Sequence, residues 1–106
     1  MVKRGDVWLA ALDPTVGSEI QKTRPCLIIS PAEVHDHLRT VIVAPMTSGS
    51  RPTGFRVPVT FQGVSGLILL EQSRALDKQR LVKRLGAVSA GVLKQTLRTL
   101  RELYDE

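Results

Sequence analysis

The stretch Ser89-Ala90-Gly91-Val92-Leu93-Lys94-Gln95-Thr96-Leu97-Arg98-Thr99-Leu100-Arg101-Glu102-Leu103-Tyr104 sets the fold class. Leu93, Leu97, Leu100 and Tyr104 recur at spacings of four, three and four, while Lys94, Arg98 and Arg101 point elsewhere. That period is helical, and Ser89 stands where an N-cap is wanted. Upstream of it the apolar residues come in short runs of strand length. Residues 83–88 read as a last short strand. Residues 66–76 begin as a buried strand and turn polar at Glu71, and Asp77 can cap a helical turn through Arg80. In residues 55–61, Phe55, Val57, Val59 and Phe61 alternate with Arg56, Pro58 and Thr60. That is a half-exposed strand, and Pro58 places it at an edge or a bulge.

Residues 48–54 form a flexible polar loop, and residues 40–47 are a strand rich in β-branched side chains. Ser30-Pro31-Ala32-Glu33 is a helix-start signal: Ser30 to cap, Pro31 at the first helical position, Glu33 to complete a capping box. The helix it opens is short, because apolar support ends after Val34. The continuous apolar run 25–29 suits a strand buried on both faces. Residues 13–22, with Pro14, Gly17 and Ser18, are a polar loop of a length that suggests binding rather than a tight turn. Residues 7–12 are a first strand. Five or six short strands and one long C-terminal helix predict a mainly β fold with α: a small curled sheet or partly open barrel with the helix packed against it.

A chain of 106 residues, 42% hydrophobic, is one globular domain over 1–106. Its single cysteine allows no internal disulfide, which fits a reducing compartment. No signal peptide is visible behind Met1, and no apolar run approaches the ~18 residues of a membrane span. A soluble, cytoplasmic protein without a membrane partner is expected. The formal net charge of +5 favours anionic partners such as nucleic acid. A basic surface kept for solubility gives the same count. The excess is local: Arg74, Lys78, Arg80, Lys83 and Arg84 stand against Asp77 alone. That strip predicts an anion-facing surface.

The chain lacks a glycine-rich phosphate loop, a cysteine pair for zinc and a nucleophile elbow. His35-Asp36-His37 invites a metal, but no third ligand stands near, so solvated surface histidines and no metal site are expected. Cys26, inside an apolar strand, reads as a buried, inert thiol. Arg24 and Thr47 each sit on a strand at the mouth of a polar loop, where sites are commonly built. An arginine there can hold a phosphate by paired hydrogen bonds, or simply close a structural ion pair. The Thr47 hydroxyl can serve a site or form a turn.

Gly5-Asp6-Val7-Trp8, Asp13-Pro14-Thr15-Val16-Gly17-Ser18-Glu19, Thr23-Arg24-Pro25 and Pro45-Met46-Thr47-Ser48 together resemble the MazF/PemK family of toxin ribonucleases. Leu69-Leu70-Glu71-Gln72-Ser73-Arg74-Ala75-Leu76-Asp77-Lys78-Gln79-Arg80-Leu81 is similar to the MazF branch. The blocks span nearly the whole chain in the family's order. The resemblance implies an SH3-like barrel of the CcdB/PemK type with a C-terminal helix, a homodimer, and cleavage of single-stranded RNA without a cofactor. It also implies a cognate MazE-like antitoxin with an acidic, disordered tail.

The resemblance places catalysis on Arg24 and Thr47, and activity or substrate contact on Glu19. RNA contacts are then expected from Ser18 and Glu19 in the first polar loop, Ser48 and Arg51 in the second, and Glu71 and Gln72 beyond. Arg51 is equally a solvated loop arginine. The PemK branch uses an acid, an arginine and a histidine where this chain has Glu71, Leu69 and Ser18, so that assignment does not carry over.

RNA brings its own nucleophile, the 2′-hydroxyl, so a protein need only align it and stabilise charge. Glu19 or Glu71 would be placed to take the proton if close. Trp8, Phe55 and Phe61 read as core, which argues against extensive base stacking. Two other classes remain open: a non-enzymatic toxin gripping a protein such as DNA gyrase, as CcdB does, and a plain RNA-binding module.

Overall fold

A computed structural model of the chain describes residues 1–12 and 22–105. Its elements are β1 (Asp6–Ala11), β2 (Thr23–Ile28), α1 (Ala32–His35), β3 (Thr40–Thr47), β4 (Arg56–Phe61), β5 (Val64–Leu69), β6 (Arg74–Asp77), β7 (Leu81–Ala87) and α2 (Ala90–Leu103). Two 3₁₀ turns, Leu70–Gln72 and Lys78–Arg80, flank β6. Among the described residues, the strands form one antiparallel sheet in the order β4-β5-β3-β2-β1-β7, with β6 also on β3. β3 is the hub. Its first half pairs β6, from Thr40 opposite Asp77 to Val43 opposite Arg74. Its end pairs β5, with Met46 opposite Ile68 and Thr47 opposite Leu67. One long strand sharing two partners curls the sheet.

Alternation explains the two cores. Val7, Leu27, Ala44 and Met46 face one side, with Val57, Val59 and Ile68 from β4 and β5. Cys26, Ile28, Val41 and Val43 face the other, with Ala10 and Leu76. Thus the run over β2 is buried on both faces, as its lack of alternation predicts. The outer strands come together where Gln62 Nε2 donates to the Leu85 carbonyl at 3.0 Å. Phe61 lies over Gly86, where a Cβ would come within 3.2 Å of the ring. This seam half-closes the sheet into the expected partly open barrel. Pro58 is exposed on the edge strand β4, where its missing N–H costs no ladder bond.

Ser89 caps α2, accepting from the Val92 N–H at 3.2 Å. The helix is turned relative to its leucine stripe. Thr96 and Thr99 are its buried residues, their hydroxyls donating to the Val92 and Gln95 carbonyls at 2.8 and 2.9 Å. Val92 and Leu100 pack on the first core, while Tyr104 is 76% exposed. A threonine that bonds its own preceding turn has no unmet polar group, so it can face the core and displace the apparent stripe by about one position.

The capping box at residues 30–33 is absent. Pro31 is the N-cap of α1, with no side-chain bond. Ser30 Oγ instead accepts from the Ile42 N–H at 3.1 Å and meets His35 Nδ1 at 3.0 Å. His35 is accordingly buried, at 1% exposure, and is not a surface histidine. Phe61 is half-buried and Trp8 packs at the edge of the second core, but Phe55 precedes β4 and is exposed.

Candidate active site

The register of β2 on β3 runs from Ile28 opposite Val43 to Cys26 opposite Pro45. Continued by two residues, it sets Arg24 across from Thr47. Opposed residues of an antiparallel pair share a face, so this register would bring the two residues to the same end of the sheet. Both line a pocket of about 260 Å³, with Ser48 beside them. Its walls are apolar: Pro25, Met46, Val59, Phe61, Leu67 and Leu85. Gln62, at the barrel seam, supplies a further polar group. A half-buried guanidinium and two hydroxyls at the mouth of an apolar pocket suit an anion whose neighbouring group is flat or apolar.

Thr47 Oγ1 accepts from the Gly49 N–H at 3.3 Å, so it does form a turn. The same hydroxyl still has its own proton to give, and the two roles are compatible. Its backbone is held as tightly. A Cβ on Gly66 would stand 2.5 Å from the Thr47 carbonyl oxygen, so β5 can approach β3 here only with glycine. Nothing local in the sequence marks Gly66 for this role, because the constraint comes from the paired strand.

Arg51, Glu71 and Gln72 do not line this pocket. Glu71 lies on the 3₁₀ turn after β5, and its Oε2 accepts from Arg56 Nε at 2.9 Å and Nη2 at 2.6 Å. That hydrogen bond raises the Arg56 pKa above its ordinary value. Arg56 Nη1 also donates to the Arg51 carbonyl at 3.0 Å. Arg56 reads in sequence only as an outward residue of an alternating strand. Ser18 and Glu19 lie outside the described residues.

Four of the five cations of the basic strip also bond within the fold. Arg74 Nη1 donates to the Leu12 carbonyl at 3.2 Å and Arg80 Nη1 to the Ala11 carbonyl at 3.3 Å. Lys78 donates to the His35 carbonyl, and Arg84 pairs with buried Asp6 at 3.2 Å. Four of its cations therefore fasten the fold, two of them at the end of β1. Burial pushes the Cys26 thiol up to about 12, against a smaller lowering by Arg74. His35 is enclosed with Ser30, and no three His, Cys, Asp or Glu side chains converge as metal donors among the described residues.

Residues 3–104 match the family of PemK-like, MazF-like toxins of type II toxin-antitoxin systems. The chain is 39% identical over 102 residues to the endoribonuclease PemK of Escherichia coli, covering 91% of this chain and 77% of that protein. It superposes on MazF from Deinococcus radiodurans with a TM-score of 0.85 at 29% identity, covering 96% and 94% of the two chains. A MazE-MazF complex from the same organism matches with a TM-score of 0.78 at 26% identity, over 96% and 93%.

Proposed function

The chain belongs to the PemK-like, MazF-like toxins of type II toxin-antitoxin systems, and on that premise we propose that it cuts single-stranded RNA in the Arg24–Thr47 pocket by means of the RNA's own 2′-hydroxyl. It is an endoribonuclease, as its relative PemK is named. The observation that carries the site assignment is the convergence of Arg24 and Thr47, distant in sequence, on one pocket.

Arg24 holds the non-bridging oxygens of the scissile phosphate and balances the charge that grows on them. The Thr47 hydroxyl donates a hydrogen bond to the phosphate, with Ser48 beside it. The attacking 2′-oxygen bonds to phosphorus as the bond to the 5′-oxygen breaks. The 2′-proton passes to solvent water, and the departing 5′-oxygen takes a proton from water, so no net proton is gained or lost. The products are a cyclic phosphate and a 5′-hydroxyl. An arginine, with a pKa above about 12, does not serve as the plain base. Glu71 already accepts two bonds from Arg56. In this mechanism neither a metal nor a cofactor has a step.

Ser18, Glu19, Ser48 and Arg51 contact flanking nucleotides from the two polar loops, with Gln72 beyond; the Glu71 carboxylate, held by Arg56, is not counted among these contacts. A MazE-like antitoxin with an acidic tail silences the protein, and two copies form the working unit in the cytoplasm. Among the described residues, no helix is long and apolar enough to cross a membrane. Family membership does not favour the alternative of a non-enzymatic toxin gripping gyrase.

The test is cleavage of a long unstructured RNA in excess EDTA, followed by analysis of the fragment ends. Discrete cuts with cyclic phosphate and 5′-hydroxyl ends are expected. Folded Arg24→Ala and Thr47→Ala should each lower cutting by about 100-fold or more, as loss of a transition-state donor does. Full-rate cutting by folded Arg24→Ala would overturn the assignment.

A further inference from the structure

We infer that Arg56 is a positioning residue for RNA binding, which masks the Glu71 carboxylate from the RNA phosphates and pins the 48–54 loop; this rests on the ribonuclease reading above. A single side chain makes three bonds here. Nε and Nη2 of Arg56 donate to Glu71 Oε2, and Nη1 donates to the Arg51 carbonyl. Its backbone N–H donates to the Thr53 carbonyl at 3.2 Å, and the Leu70 N–H donates to the Phe55 carbonyl at 3.2 Å. Arg56 thus ties the far end of the loop to the turn that carries Glu71. The near end of that loop is Thr47-Ser48, which lines the pocket.

On this inference, an RNA strand with its phosphate at Arg24 runs along the 48–54 loop toward Glu71. That side chain is 34% exposed, so its charge would act on phosphates through water and across the loop. Opposite charges in direct contact cancel at a distance. With Arg56 present, Glu71 presents no net repulsion; without it, one negative charge faces the substrate. The pair is partly exposed on both sides and is not a mainstay of stability, so its removal should leave the fold intact.

The test measures kcat and KM for a single-stranded RNA oligonucleotide carrying the protein's own cleavage site, at low and at raised salt. Arg56→Ala should raise KM by about tenfold at low salt, with kcat changed by less than about threefold. The defect should shrink at higher salt, because charges beyond the ~10 Å Debye length at 0.1 M are screened. Adding Glu71→Gln to Arg56→Ala should bring KM back toward the parent value, and Arg56→Lys should retain most of it. A KM unmoved in folded Arg56→Ala overturns the inference. So does a defect that Glu71→Gln deepens, or one that salt leaves unchanged. Absence of cleavage by the parent protein instead overturns the ribonuclease reading itself, and this inference with it.

Discussion

Single residues show how far local chemistry reaches. Cys26 is inert for a reason visible in its neighbours: an apolar run buries it, and burial disfavours the thiolate. Its pKa of about 12 exceeds the ordinary 9.0, so the folded state keeps the proton longer than the unfolded chain. Below the ordinary value both states are protonated and pH has no effect through this group. Between the two values the unfolded chain ionises first, and stability falls as pH rises, by up to about 1.4 kcal/mol per pH unit. Denaturant titrations at about pH 8 and about pH 10.5 should show this loss, and it should shrink in Cys26→Ala.

Gly66 is the opposite case, since its role exists only because β5 lies against β3. Gly66→Ala should cost about 1–3 kcal/mol, the usual penalty of overpacking, and should slow RNA cutting by displacing Thr47. Urea unfolding and the cleavage rate check the two effects separately. His35 reads as a surface histidine because its neighbours Asp36 and His37 are polar. Its burial depends on Ser30, which turns away from the helix start to meet it.

At the scale of elements, propensity and period carried well. The N-cap at Ser89, the cap of Asp77 on the following 3₁₀ turn, the edge placement of Pro58 and the doubly buried β2 all match local patterns. Ser89→Ala should destabilise the protein by about 1 kcal/mol, with helix α2 fraying first, as loss of a capping side chain does. Urea unfolding gives the magnitude, and amide exchange at residues 91–93 locates it. The face of α2 was not legible. Periodicity tells which side is apolar, but Thr96 and Thr99 satisfy their hydroxyls within the helix and pass for core residues.

At the scale of the whole molecule, the net charge of +5 still predicts attraction to RNA. The affinity should fall with salt, with a log–log slope of about −0.7 for each phosphate neutralised. Arg24→Ala should make that slope shallower by roughly one such contact, measured by fluorescence titration of a non-cleavable strand. The same substitutions in Arg74 or Arg80 should act first on stability. These two side chains hold the carbonyls of Leu12 and Ala11, where β1 ends.

The strands of residues 7–12 and 40–47, the terminal helix, the buried thiol and the polar 48–54 loop were determined by the sequence alone, because each depends on residues a few positions apart. Only the tertiary structure decided that Arg24 and Thr47 line one pocket, that Arg56 holds Glu71, that Gly66 must be glycine and that Arg74, Lys78 and Arg80 hold backbone carbonyls. Each of those facts depends on which strand lies beside which and in what register. A backbone hydrogen-bond ladder sets such relations between distant segments, and no local period records them.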